Sequence, residues 1–206
     1  MIAANISQRS KIGIFLALLA MLAANVFLPA LAAQEFEIRL DPAQTKIDFG
    51  LGSTLHTVHG TFHLKSGSIH FDPSTGKAGG TIVVDTGSGQ SGDNGRDRKM
   101  NRDILESDKF PEIIFAPSLV KGELALKGTS QMEVSGQFRL HGRNHDITLP
   151  IDIQPMGRKL QISTHFSIPY IQWGLKNPGT FLLRADNAVE INIQSVGDMV
   201  GGEVLQ

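Results

Sequence analysis

The chain has 206 residues, with 19 lysines and arginines against 20 aspartates and glutamates, which gives no electrostatic case for binding nucleic acid. It contains no cysteine, so thiol chemistry and cysteine metal sites are excluded, and stability must come from burial and backbone pairing. The 22 glycines and the frequent valine, isoleucine and threonine suit many strands joined by tight turns.

Residues 1–32 read as a secretory signal peptide. Arg9 and Lys11 make a basic start, residues 12–28 are apolar except for Gly13 and Asn25, and Ala30-Leu31-Ala32 supplies a small-x-small cleavage site. A retained membrane anchor is the alternative, but the apolar stretch is near the lower limit of the roughly 17–25 residues that span a bilayer. Cleavage near Ala32 or Ala33 leaves residues 33–206 as one domain, with no stable membrane insertion.

From there the chain alternates apolar and polar residues. Phe36, Ile38 and Leu40 precede an Asp41-Pro42 break, and Ile47, Phe49 and Leu51 follow it. Val58, Gly60, Phe62 and Leu64 share one face, with His59, Thr61, His63 and Lys65 on the other. After Ile69 and Phe71 comes the turn Asp72-Pro73-Ser74-Thr75-Gly76, then a strand through Ile82, Val84 and Thr86 and a glycine-rich loop over residues 87–95.

Residues 93–115 are the only long charged stretch and predict one short helix. Met100, Ile104 and Leu105 form its apolar stripe, and Arg98, Arg102 and Glu106 lie on the opposite surface. Lys99 is spaced to pair with Asp103, Asp93 or Asn94 can cap the start, and Pro111 ends it. Beyond Pro111, residues 112–120 are apolar on both faces, which predicts cover on both sides.

Further strands run through Met132, Val134, Gly136, Phe138 and Leu140, through Ile147, Leu149, Ile151 and Ile153, and through Leu160, Ile162, Thr164, Phe166 and Ile168. Leu124 and Leu126 lead into the first of these, and the turns Gly142-Arg143-Asn144 and Met156-Gly157-Arg158 separate them. An irregular stretch, residues 169–180, holds the only tyrosine, Tyr170, and the only tryptophan, Trp173, before Val189, Ile191 and Ile193. Period-two alternation through eight or more short strands predicts an antiparallel barrel or sandwich, and the barrel is favoured because closure removes exposed edges.

The candidate sites divide into chemistry and shape. Gly87-Ser88-Gly89-Gln90-Ser91-Gly92 matches a dinucleotide fingerprint, with Asp108 at a suitable distance, but the surroundings are hairpins and not a parallel βαβ unit. A weaker anion contact at the helix start, with Arg96 nearby, survives that objection. His59 and His63 share a strand face about 13 Å apart at roughly 3.3 Å per residue, too far to bind one metal alone. His56, His70, His141 and His145 likewise read as solvated, since no carboxylate is placed by sequence to join the last two. Asp97, Asp103, Glu106 and Asp108 alternate with basic residues and read as a salt-bridged helix surface. No nucleophile elbow is present. The shape signal is glycine between valine and phenylalanine on an apolar face, in Val58-x-Gly60-x-Phe62 and Val134-x-Gly136-x-Phe138. Such a glycine marks a bend or close approach, or leaves room inside a barrel for an elongated apolar ligand.

With these motifs in hand, the chain resembles the YceI-like family of exported polyisoprenoid-binding proteins, over residues 36–196. The resemblance rests on Val58-His59-Gly60-Thr61-Phe62, on Arg96-Asp97 with Met100, on Leu105 with Phe110-Pro111-x-Ile113-x-Phe115, and on the glycine hairpin after Leu140. Many members carry a histidine and leucine after the Arg-Asp pair, where this chain has Arg98, Lys99 and Met100, so a head-group contact through that histidine is not expected here. The resemblance implies an all-β, lipocalin-like antiparallel barrel, one short helix closing an end, and a lumen that takes a long isoprenoid with no chemical step. The expected lumen residues are Val58, Gly60, Phe62, Leu64, Val134, Gly136, Phe138, Ile162 and Phe166, with Arg96, Met100 and Ile104 at the helix and head-group end. The expectation is a periplasmic, non-enzymatic carrier or scavenger of an isoprenoid or other long-chain lipid, without metal, cofactor or catalytic residue, and compatible with a homodimer. A secreted enzyme using helix carboxylates or a histidine-bound metal is the alternative.

Overall fold

The computed structural model describes residues 36–125, 127–179 and 184–200; the expected signal peptide and its cleavage site lie outside these residues, as do Leu126 and Thr180. Within them nine strands run in order: β1 (Phe36–Leu40), β2 (Lys46–Leu51), β3 (Val58–Phe71), β4 (Ala78–Gln90), β5 (Glu112–Lys121), β6 (Ser130–Leu140), β7 (Arg143–Met156), β8 (Lys159–Ile168) and β9 (Val189–Val200). Every pairing is antiparallel, and the β3–β4 pairing closes the sheet on itself.

β1 and β2 occupy one position in the wall. Both pair with β3 and β9, β1 against Ser68 to Phe71 and β2 against Val58 to Phe62, so the closed barrel has eight staves. The break between them follows from Asp41-Pro42. Pro42 has no N–H to give a ladder, and Asp41 accepts a hydrogen bond from the Ala43 N–H at 2.9 Å, turning the chain through a single 3₁₀ turn, Pro42–Gln44. Closure leaves the strands no open edge to aggregate through.

Burial follows the alternation most cleanly in β6. Ser130, Met132, Val134, Gly136, Phe138 and Leu140 face the interior, while Gln131, Glu133, Gln137 and Arg139 are exposed. The hairpin to β7 turns on His141 and Gly142, both with positive φ, at 50° and 75°. That is the backbone a two-residue primed turn demands. Arg143 and Asn144, expected in the turn, pair with Leu140 and Arg139 instead.

Three local expectations are corrected. Gly87, Ser88, Gly89 and Gln90 are not loop but the end of β4, where Gln90 pairs with Thr61 across irregularities in β3. Gly89 suits this path because the Phe62 ring and the Met100 methyl lie where its Cβ would be, at 2.7 and 2.6 Å. The helix is shorter than expected: α1 (Asn94–Lys99), capped by Asp93, passes into one π-helical turn (Met100–Ile104) and ends at Glu106, whose φ is 47°. In that wider turn Asp103 pairs with Arg102 at 2.7 Å, and Lys99 instead donates to the Pro178 carbonyl at 3.2 Å. Last, β5 is not covered on both faces, since Ser118 is exposed and Ile114 and Leu119 are half-buried.

Candidate ligand cavity in the barrel lumen

The inward residues of all nine strands surround a cavity of about 170 Å³. Its lining is apolar apart from Thr45, Thr164 and Ser195, and includes no charged residue. Six residues that the sequence placed in the lumen do line it: Phe62, Leu64, Val134, Phe138, Ile162 and Phe166. Alternation in β4, β5 and β9 brings in Ile82, Val84, Ile113, Phe115, Ile191 and Ile193 as well. The same period-two signal could have found these.

The glycines do not line the cavity. A Cβ on Gly136 would lie 2.3 Å from the Ala116 carbonyl oxygen and 2.8 Å from Pro117 Cα. Pro117 faces Gly136 at a register shift in β5, so the neighbouring backbone folds over the glycine and takes the space. A Cβ on Gly60 would lie 2.3 Å from the Gln90 carbonyl oxygen and 2.4 Å from the Phe49 ring. Both positions mark close approach, one of the two readings that such a glycine allows. Val58 is half-buried and packs against the core beside its partner Leu51, but it too lies outside the lining.

At the helix end the residues expected at the helix and head group make contacts within the fold. Arg96 is exposed and outside the cavity lining. Its Nε donates to Ser91 Oγ and its Nη2 to the Ser91 carbonyl, both at 2.7 Å. Asp97 accepts from the Ser91 N–H at 2.8 Å and also from the Ser91 hydroxyl. The Arg96-Asp97 pair therefore clamps the end of β4 to the start of α1. Ile104 and Leu105 are buried in the core and Met100 packs against it, so this segment covers one end of the barrel without reaching the cavity surface.

An aromatic series that alternation does not signal lies at this same end. Phe138 meets Phe166 edge-on at 6.4 Å and Trp173 at 5.6 Å, and Trp173 carries the His145 ring flat against it at 4.0 Å. His145 is no solvated histidine. It pairs with Phe138 across the β6–β7 ladder, and burial, with the Arg143 charge nearby, holds its pKa below the usual histidine range. His141 is also enclosed: its ring lies 4.4 Å from Phe110, and its Nε2 is 3.5 Å from Glu106 Oε2. A carboxylate does join it, from the end of the helix. Among the described residues no three histidine, aspartate or glutamate side chains gather as a metal-holding group.

Phe110 also lies against the hairpin turn, where a Cβ on Gly142 would be 2.6 Å from its ring. The Phe-Pro motif and the glycine hairpin, far apart in sequence, are thus in contact. A family profile described as the YceI-like domain matches residues 39–196, the whole barrel from β1 into β9.

The chain belongs to the YceI-like family.

Relatives agree. A UPF0312 protein of Vibrio cholerae is 29% identical over 132 residues, covering 62% of this chain and 68% of its own. Among solved structures, BcnA of Burkholderia cenocepacia superimposes with a TM-score of 0.61 at 17% identity, over 76% of this chain and 98% of that one. A polyisoprenoid binding domain from Saccharophagus degradans, implicated in plant cell wall breakdown, gives 0.60 at 14% identity, over 79% and 98%. The Campylobacter jejuni YCEI protein gives 0.54 at 18% identity, over 71% and 85%. At these identities the solved structures establish the shared YceI-like barrel.

Proposed function

We propose that this YceI-like protein binds a long amphiphilic isoprenoid, or another long-chain lipid, in the barrel lumen, and serves as a periplasmic carrier or scavenger with no chemical step. The observation that carries the reading is the cavity: enclosed by a closed barrel, apolar at its surface and free of charged side chains. Burying a hydrocarbon chain there is favourable by about 25 cal/mol per Å², before the cost of ordering the ligand is subtracted. The polyisoprenoid binding named for the Saccharophagus degradans domain agrees with this chemistry. The basic start and the small-x-small site before Ala33 support export.

A cavity of about 170 Å³ holds only a short apolar segment; about 150 Å³ suits a benzene-sized guest, and whole-ligand pockets run from about 300 Å³ upward. Seating a full chain requires the lumen to widen. Phe62, Ile162 and Phe166 are among the half-buried side chains of the lining. The test is mass spectrometry of an organic extract from gently purified mature protein. A long-chain lipid near one equivalent is expected. An extract without lipid, together with stoichiometric bound metal, would favour an enzyme instead.

A further inference from the structure

From the hydroxyls in the cavity wall we infer that the ligand's polar oxygen is recognised inside the barrel, at Thr164, and not at the mouth. This rests on the lumen-binding reading and makes it more specific. The ligand class it implies is a neutral lipid bearing an oxygen acceptor, such as an alcohol, ketone, ester or ether.

Three hydroxyl residues line the cavity, and two of them satisfy each other. Thr45 Oγ1 donates to the Asp41 carbonyl at 2.7 Å and lies 2.6 Å from Ser195 Oγ. Since the single Thr45 proton is used on Asp41, Ser195 donates to Thr45. Thr164 is different. It is 9% exposed, and its Oγ1 is buried with no hydrogen-bond partner among the described residues. Buried polar groups nearly always find a partner, and an unpaired one is costly. Valine has the same shape and would avoid that cost.

The surroundings say what the missing partner is. Thr164 lies between Ile162 and Phe166 on the inward face of β8 and opposite Ile193 of β9, all three of which line the cavity. Thr164 lines the cavity, and a turn of roughly 120° about Cα–Cβ moves its hydroxyl from one staggered position to another. A water there would need two to four polar partners, and the other two hydroxyls of the lining, Thr45 and Ser195, are engaged with each other. An oxygen on a buried lipid needs only the one donor. Because no lysine, arginine or histidine lines the cavity, a carboxylate or diphosphate at this depth would be an unpaired buried anion. Thr164 stands four residues inside the helix end of β8, about 13 Å at roughly 3.3 Å per residue, so an oxygen bonded to it lies well inside the barrel. Arg96, held on Ser91 outside the lining, is not required.

Thr86 supplies a control. It is 2% exposed and its Oγ1 is also unpartnered, but it does not line the cavity. The experiment uses delipidated mature protein and follows Trp173 fluorescence on titration with geranylgeraniol, with the matching hydrocarbon that lacks the hydroxyl, and with geranylgeranyl diphosphate. Wild type should bind the alcohol about five- to tenfold more tightly than the hydrocarbon, the worth of one ordinary hydrogen bond, and more tightly than the diphosphate. Thr164→Val should bring the alcohol down to the hydrocarbon's affinity, leave the hydrocarbon unchanged, and keep or raise the melting temperature. Thr86→Val should leave all three affinities as in wild type. If Thr164→Val binds the alcohol as wild type does, or if the diphosphate is preferred, the oxygen is not read at Thr164. If wild type binds none of the three, lumen binding itself is wrong and this inference falls with it.

Discussion

His145 lies flat on Trp173, with ring centroids 4.0 Å apart and planes within 3° of parallel. The stack joins β7 to the turn after β8, and Trp173 in turn packs on Phe138 of the cavity wall. Burial favours the neutral imidazole and lowers its pKa, and the Arg143 charge acts in the same direction. The unfolded chain therefore binds more protons at this site than the folded one. The resulting stability is complete above the ordinary histidine pKa of about 6.5 and is lost as pH falls toward the lower folded value. Melting temperatures at pH 7.5 and 5.5 should fall for wild type, and fall by less for His145→Gln. Equal drops in the two proteins would show that this histidine does not contribute to acid sensitivity.

The segment over the barrel end makes a separable prediction. Leu105 is buried in the core, whereas Arg102 is exposed and pairs with its neighbour Asp103. Leu105→Ala should cost about 2–4 kcal/mol in urea unfolding, from lost transfer energy and a partly collapsed cavity. Arg102→Ala should leave the midpoint within error, because exposed ion pairs contribute little. Matching losses would mean that the faces of this segment are assigned wrongly.

The Arg96-Asp97 motif can be tested for a structural role in the same way. Asp97 accepts two hydrogen bonds from Ser91, and Arg96 donates two more. Asp97→Ala should destabilise by on the order of 1–2 kcal/mol, since it frees both Ser91 donors from a charged acceptor. Co-purifying lipid should not change, because neither residue lines the cavity. Loss of lipid at wild-type stability would return these residues to the ligand.

How much could be read beforehand depended on the kind of signal. Alternation reports which side of a strand a residue faces, so Phe62, Val134, Phe138 and Phe166 were legible, and so was the all-β barrel. It does not report what fills the space beyond a side chain, so it could not show that Ala116 and Pro117 fold over Gly136. Glycine content argued for a loop at Gly87 and Gly89, yet packing of Phe62 and Met100 made it strand. The Glu106–His141 pair is hidden in the sequence because it needs two positive-φ residues, far apart in sequence, brought together where the start of β5 meets the end of β6. His145 was within reach: counting back by twos from Leu149 and Ile147 puts it on the inner face.

The glycine in β6 gives the sharpest contrast between empty volume and close approach. Had Gly136 left room in the lumen, Gly136→Leu would displace ligand while the empty barrel kept its melting temperature. Its Cβ position is instead occupied by backbone, the Ala116 carbonyl at 2.3 Å and Pro117 Cα at 2.8 Å, and backbone cannot rotate aside as a side chain can. Even Gly136→Ala must therefore push β5 away from β6 at the register shift opposite Pro117. The expected cost is about 1–3 kcal/mol for alanine, as for overpacking of a dense interior, and more for leucine. Lipid and stability should be lost together, and in proportion. Gln137 is the control, since it is exposed on the outer face and bonded to Asp146. Gln137→Leu should change neither lipid content nor the urea midpoint by more than a surface substitution does. A Gly136→Leu protein that melts like wild type but carries no lipid would show that the β5 backbone yields, and that the space belongs to the lumen after all.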